Sequence, residues 1–129
     1  MSKLDKKSVI GITALLVHAA NIDENYSEHE KQLVKEFIKS YLKDENSEEI
    51  LKEAEKIESN SNQLLNYTNI LKQNSNEIKK DIIEHLWKVI ISDKSVDQYE
   101  SNLMRRICGL IYFPDKECAE IKLQLLNSK

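Results

Sequence analysis

Two glycines, Gly11 and Gly109, and a single proline, Pro114, are the only residues of those types in 129 positions. An all-β domain needs a turn roughly every 8–12 residues, and this chain lacks the residues to build them. Basic clustering is just as scarce. Arg105-Arg106 is the one arginine pair, and the formal net charge is −3, so the electropositive stripe of a nucleic-acid binder is missing. No apolar run reaches the ~20 residues of a membrane span, which argues against membrane insertion. The two cysteines, Cys108 and Cys118, have no CxxC spacing. A chain of this size needs no disulfide, so reduced, buried thiols in a cytoplasmic protein are expected. A Gly-rich phosphate loop, GxSxG, HExxH and any readable nucleophile-with-base pair are all absent from the sequence. No catalytic residue is therefore assigned, and a non-enzyme is expected.

What remains is 40% hydrophobic and 32% charged, enough apolar content for one globular domain over 1–129. The background of Leu, Ile, Glu and Lys suits helices. Apolar residues recur at helical spacing in seven segments: about 6–22, 27–42, 47 to about 59, 62–72, 77–92, 97–112 and 115–127. The first is apolar nearly all round (Val9, Ile10, Ile12, Leu15, Leu16, Ala19, Ala20), as is the fifth (Ile78, Ile82, Ile83, Leu86, Trp87, Val89, Ile90, Ile91). Helices of that kind belong at the centre of a fold. The first segment also imitates an export signal, with Lys3, Lys6 and Lys7 before an apolar run. Gly11 and Thr13 interrupt that run, and the internal fifth segment has the same character, so a core helix is expected. The third segment carries Ile50, Leu51, Ala54 and Ile57 on one side, and the seventh carries Cys118, Ile121, Leu125 and Leu126. Polar clusters at 60–62 and 74–76 read as loops with N-cap residues.

Shifting the chain by 70 residues places Asp23 on Asp93, Asn25 on Ser95, Ser27 on Asp97 and Glu30 on Glu100. The same register places Leu33 on Leu103, Val34 on Met104 and Phe37 on Ile107. Agreement of the polar turn and the apolar stripe in one register points to one supersecondary unit used twice. The fold expected is therefore all-α, a single compact domain of about seven helices with two pseudo-repeated helix–acidic turn–helix units. Near-two-fold packing of those units brings the two apolar helices together.

Each turn reads Asp-x-[Asn/Ser]-x-[Ser/Asp]-x-x-Glu. Alternating oxygen ligands resemble the start of a calcium loop, but that loop needs Gly at its sixth position and Glu at its twelfth. Those positions hold Glu28 and Val34 in one copy, Gln98 and Met104 in the other, which excludes a standard calcium hand. Capping boxes account for Ser27 with Glu30 and Asp97 with Glu100, each cap contributing about 1 kcal/mol. Capping does not account for the acid that begins each turn. Asp23 and Asp93 stand just past a helix C-terminus, where the macrodipole disfavours negative charge. Their recurrence suggests a partner, whether a protein surface or a cation. The candidate binding surface is Asp23, Asn25, Glu30, Asp93, Asp97 and Glu100, and the candidate metal set is Asp23, Glu30, Asp93 and Glu100. No cofactor is otherwise implied beyond such a divalent cation. His18 and His85, on the two apolar helices, lack short ligand spacing and read as incidental, and His29 is expected to be exposed. Trp87 reads as core.

The acidic turns resemble those of the TerB-like family, associated with tellurite resistance and with the N-terminal region of the DjlA co-chaperone. That family shows Ala-Asp-Gly, then Glu seven residues after the Asp, at two places. Asp23 with Glu30 and Asp93 with Glu100 match; Ile22 and Ser92 replace the Ala, and Glu24 and Lys94 replace the Gly. The resemblance covers about Val9 to Leu126 and implies a compact cytoplasmic helical domain that binds metal ions or partner proteins through clustered acids. The function expected is a non-catalytic binding or scaffolding module engaging a protein partner through its acidic turns. The alternative is a metal-sensing or metal-sequestering protein using the same carboxylates, and an enzyme with an unrecognised site stands third.

Overall fold

A computed structural model describes residues 5–21, 28–43, 45–60, 68–69, 71–91 and 98–127, with side chains from 101 onward in the last segment. Asp23, Asn25, Asp93 and Asp97 lie outside the described residues, and Glu100 is described only as helical backbone. Six helices of 13 residues or more stand among the described residues. They are α1 (Lys6–Asn21), α2 (Glu28–Tyr41), α3 (Ser47–Asn60), α4 (Asn76–Ile91), α5 (Gln98–Leu110) and α6 (Asp115–Asn127). No strand occurs among those residues. The count is six rather than the seven expected. Of the expected segment 62–72, residues 68–69 and 71–72 are described, and they are helical.

Several helices start where a side chain can satisfy free N–H groups. Asp5 accepts from Ser8 N–H at 2.7 Å, Asn46 from Glu48 N–H at 2.9 Å, and Ser75 from Ile78 N–H at 3.3 Å. Each is an N-cap contact of the kind that Asp, Asn and Ser favour. The Asn and Ser caps sit in polar breaks of the sequence.

Helix α1 is the hub. Every residue from Val9 to Ala20 except Gly11 and His18 is buried, and the helix packs against α2, α3 and α4. It is a core element, as its all-round apolar sequence requires. Thr13 is tolerated there because its hydroxyl donates to the Val9 carbonyl one turn back, at 2.6 Å. Helix α4 is the second apolar rod, packed on α1, α2 and α6, while α6 also covers α5. The remaining helices bury one stripe each: Val34, Phe37 and Ile38 from α2, Ile50, Leu51 and Ala54 from α3, Cys118 and Ile121 from α6.

The ends of the two helix pairs correspond at an offset of 70 residues. Lys6 pairs with Asn76, Asn21 with Ile91 and Glu28 with Gln98. Two residues expected in the core are not there. Ile57 is 37% exposed and Leu126 is 41% exposed. On α3 the stripe continues from Ala54 to Glu58 instead, a step of four residues rather than three, both of which keep a helix face.

Helix α5 ends in a Schellman motif. Phe113 N–H donates to Cys108 O at 2.9 Å and Tyr112 N–H to Gly109 O at 3.4 Å, the six-to-one and five-to-two bonds of that cap. The residue in the left-handed position is not glycine but Tyr112, at φ 59°. Its ring is 71% exposed and lies under Lys72, whose Nζ is 5.0 Å from the ring centroid. Pro114 follows, and its carbonyl accepts from Cys118 N–H at 3.1 Å to start α6.

Candidate functional site

The described part of the first acidic turn is its two flanks: the C-terminal end of α1 and the first turn of α2. Where these meet the C-terminal half of α3, a polar cluster forms on the edge of the core. His18 Nδ1 stands 3.3 Å from Glu58 Oε2, donating in that tautomer, and Asn21 Nδ2 donates to Glu58 Oε1 at 3.3 Å. Both oxygens of one carboxylate are thus held by successive turns of α1. The Glu58 side chain is only 12% exposed. A carboxylate so far from bulk water is tolerated because its lone pairs are engaged.

Beside this cluster lies an open cleft of about 250 Å³, lined by Val17, Asn21, Lys31, Glu55, Glu58 and Ser59. It offers two carboxylates, an ammonium, an amide and a hydroxyl over a small apolar patch. This set can hydrogen-bond a polar or cationic group. It contains no nucleophile with an adjacent base.

Glu30, assigned from sequence to both the metal set and the binding surface, is on α2 and is 3% exposed. It faces inward at the start of its helix, while His29 before it is exposed. Among the described residues no three or more of His, Cys, Asp and Glu gather as a metal site would require. The two histidines of the apolar helices join different clusters. His18 pairs with α3. His85 lies 3.7 Å by Nε2 from Asp81 Oδ2 and edge-on to Phe37 of α2, with centroids 5.2 Å apart. Burial is the main cause holding the His85 pKa below its ordinary value, against the opposing pull of Asp81. Asp81 also accepts from the Tyr41 hydroxyl at 2.6 Å. Burial and that bond push the Tyr41 phenol well above its usual range.

Sequence reasoning missed Glu58, Asn21, Glu55 and Lys31. The signal for Glu58 was present: it continues the spacing of Leu51 and Ala54 on α3, so it is a carboxylate on an apolar stripe. Such a residue needs a partner from the neighbouring helix, and His18 and Asn21 provide it.

The fold and the cleft define a class: a small all-helical domain in which two apolar rods pack together and polar side chains gather at the rod end. The family described as Tellurite resistance protein TerB matches residues 9–123. That is nearly the whole chain, and the chain belongs to the TerB family. No curated protein and no solved structure matches it. No helix among the described residues is long and apolar enough to cross a membrane.

Proposed function

We propose that the chain is a non-catalytic cytoplasmic binding module whose two acidic turns engage a protein partner. The carrying observation is the correspondence of helix ends on either side of both turns, at an offset of 70 residues. Those ends set Asp23 and Asp93 at equivalent places, each just beyond one of the two apolar rods, which pack against each other. This is the basis for reading the chain as a duplicated unit with matched acidic turns. An acid at a helix C-terminus costs about 0.3–1 kcal/mol against the macrodipole. Placing that cost twice at equivalent positions is best explained by a ligand of opposite charge, so the partner surface is basic. The cleft beside the first turn, with Glu55 and Glu58 in its wall, extends the same acidic character. The burial of Glu30 gives it the part of holding the first turn in shape, leaving Asp23 and Asn25 for the partner.

The double substitution Asp23→Asn with Asp93→Asn tests the proposal. Binding to an array of Lys/Arg-rich peptides, read alongside thermal melting, should fall about tenfold or more while the melt is unchanged; each tenfold step is 1.4 kcal/mol. Equal binding by the variant overturns it. A divalent cation is the second reading, favoured by the inward-facing Glu30 carboxylate. Melts with Ca²⁺, Mg²⁺, Mn²⁺ or Zn²⁺ separate the two. A cation at 100 times its Kd adds about 2.7 kcal/mol, and a rise that the double variant abolishes reassigns the turns to metal.

A further inference from the structure

The second large cavity of the molecule lies far along the chain from the acidic turns. It has a volume of about 510 Å³, between α5 and α6 and against Trp87 of α4. Its lining includes Cys118, with Arg105 and Lys122 as the cations and Asp115 as the acid. Cys118 is only 6% exposed, yet it belongs to the cavity wall, so a small reagent that enters the cavity meets the sulfur.

Three features converge on that sulfur. The indole Nε1–H of Trp87 points at it, 3.3 Å away, and a tryptophan N–H is a donor only. The Lys122 ammonium lies 5.3 Å from the centroid of the same indole ring. Cys118 is the fourth residue of α6, where the positive end of the helix dipole acts on a thiolate. Behind it is Cys108, fully buried and free. The two thiols interact directly: the Cys108 S–H donating to the Cys118 sulfur is the largest influence on each. That bond, with the Trp87 N–H and the Lys122 charge, outweighs burial and Asp115 and brings the Cys118 pKa down to about 7. The same arrangement pushes Cys108 far above the ordinary thiol value. One thiol is therefore set up as the anion and the other as its proton-bearing neighbour.

We propose that Cys118 is an oxidisable thiolate reacting with small hydroperoxides that enter this cavity, and that Cys108 is its resolving thiol. In the first step the Cys118 sulfur attacks the distal peroxide oxygen. An S–O bond forms and the O–O bond breaks; sulfur is oxidised by two electrons, the peroxide is reduced, and hydroxide or alkoxide leaves. Cys118 becomes a sulfenic acid. In the second step the Cys108 sulfur attacks the Cys118 sulfur, the S–O bond breaks, and the hydroxyl departs with the Cys108 proton as water, leaving a disulfide. The order of events follows from the pair itself. The anionic Cys118 is the main cause holding the Cys108 proton on; once Cys118 is a neutral sulfenic acid that cause is gone and Cys108 becomes the better nucleophile.

The test uses the full chain with hydrogen peroxide as the oxidant, and a sulfenic-acid-specific diketone with peptide mass mapping as the readout. Wild type should lose two titratable thiols together and form a Cys108–Cys118 disulfide without diketone label. Cys108→Ser should accumulate diketone label at position 118, and Cys118→Ser should stay unlabelled at position 108. Trp87→Phe, which keeps an aromatic ring but removes the donor, should slow the peroxide reaction several-fold. Should the cysteine variants fold poorly by circular dichroism, alkylation of wild type by iodoacetamide across pH decides the matter, with half-maximal rate expected near pH 7. A native chain that keeps both thiols under peroxide, equal labelling of the two cysteines, or an alkylation midpoint at or above the ordinary thiol value of about 8.5 overturns the proposal.

Discussion

The left-handed residue at the end of α5 offers the sharpest test of the stability reasoning. Tyr112 takes φ 59° at the position where a Schellman cap ordinarily places glycine. A side chain with a Cβ pays about 1–2 kcal/mol for that conformation. Against this, its exposed ring under the Lys72 ammonium contributes about 0.5–1 kcal/mol. Tyr112→Gly removes both terms, so the net gain is between zero and about 1.5 kcal/mol on those figures. Tyr112→Ala removes only the ring and keeps the strain, so it loses about 0.5–1 kcal/mol. The decisive quantity is the gap between the two variants, about 1–2 kcal/mol in favour of glycine. Urea unfolding followed by circular dichroism measures it, provided that the slope of free energy on denaturant is the same in both. Lys72→Met in each background separates the ring contact from the backbone term through a double-mutant cycle. An alanine variant as stable as the glycine variant refutes the argument, because the cap would then carry no left-handed strain.

Three further outcomes are expected. Gly109→Ala should raise stability by about 0.5–1 kcal/mol in the same urea assay, since glycine is the poorer helix former and a Cβ there meets nothing within 4 Å. Leu16→Ala, at a fully buried position of α1, should lose about 2–5 kcal/mol; a loss below 1 kcal/mol would contradict the hub role of that helix. His85 should make stability depend on pH on the acid side of neutrality. Its folded pKa is lowered by burial, so as pH falls below the unfolded value of about 6.5 the unfolded chain takes up a proton that the folded chain resists. Stability contributed by neutral His85 is complete above that pH and declines below it, by at most about 1.4 kcal/mol per pH unit. The urea midpoint should fall less between pH 7.5 and 5.5 in His85→Gln than in wild type.

The apolar rods were readable in the sequence because a helix apolar on every side has one place to go, and Val9–Ala20 and Ile78–Ile91 went there. Caps such as Ser75 were readable because polar breaks fall just before periodic stretches. The face of α3 was not. Ile57 and Glu58 flank the same stripe three and four residues beyond Ala54, and periodicity alone favours the apolar one. What decided for Glu58 is the neighbour: α1 presents His18 and Asn21 at that level, and they satisfy a carboxylate. The cysteine pair was hidden for the opposite reason. Cys108 and Cys118 each look like ordinary stripe residues, beside Ile107 and Ile121. Their meeting follows from the tight turn at 111–114, which folds α6 back on α5. Two stripes joined by a turn that short face each other, so this contact was derivable. Of the proposed surface, Asp23, Asn25, Asp93 and Asp97 lie outside the described residues, and the described flank of the first turn added a cleft that spacing could not reveal.

A rod sealed on every side communicates with water only at its tips. Between Val9 and Ala20, α1 shows solvent little more than Gly11 and part of His18, so substitutions along its length register as changes in cohesion and not in recognition. Its two tips are chemically unlike. One is the Asp5 cap with Lys6, which is paired to Glu45; the other is His18 and Asn21 fastened to Glu58. Anything that tugs on the second tip pulls directly on the central strut of the molecule, without a pliable side chain layer in between.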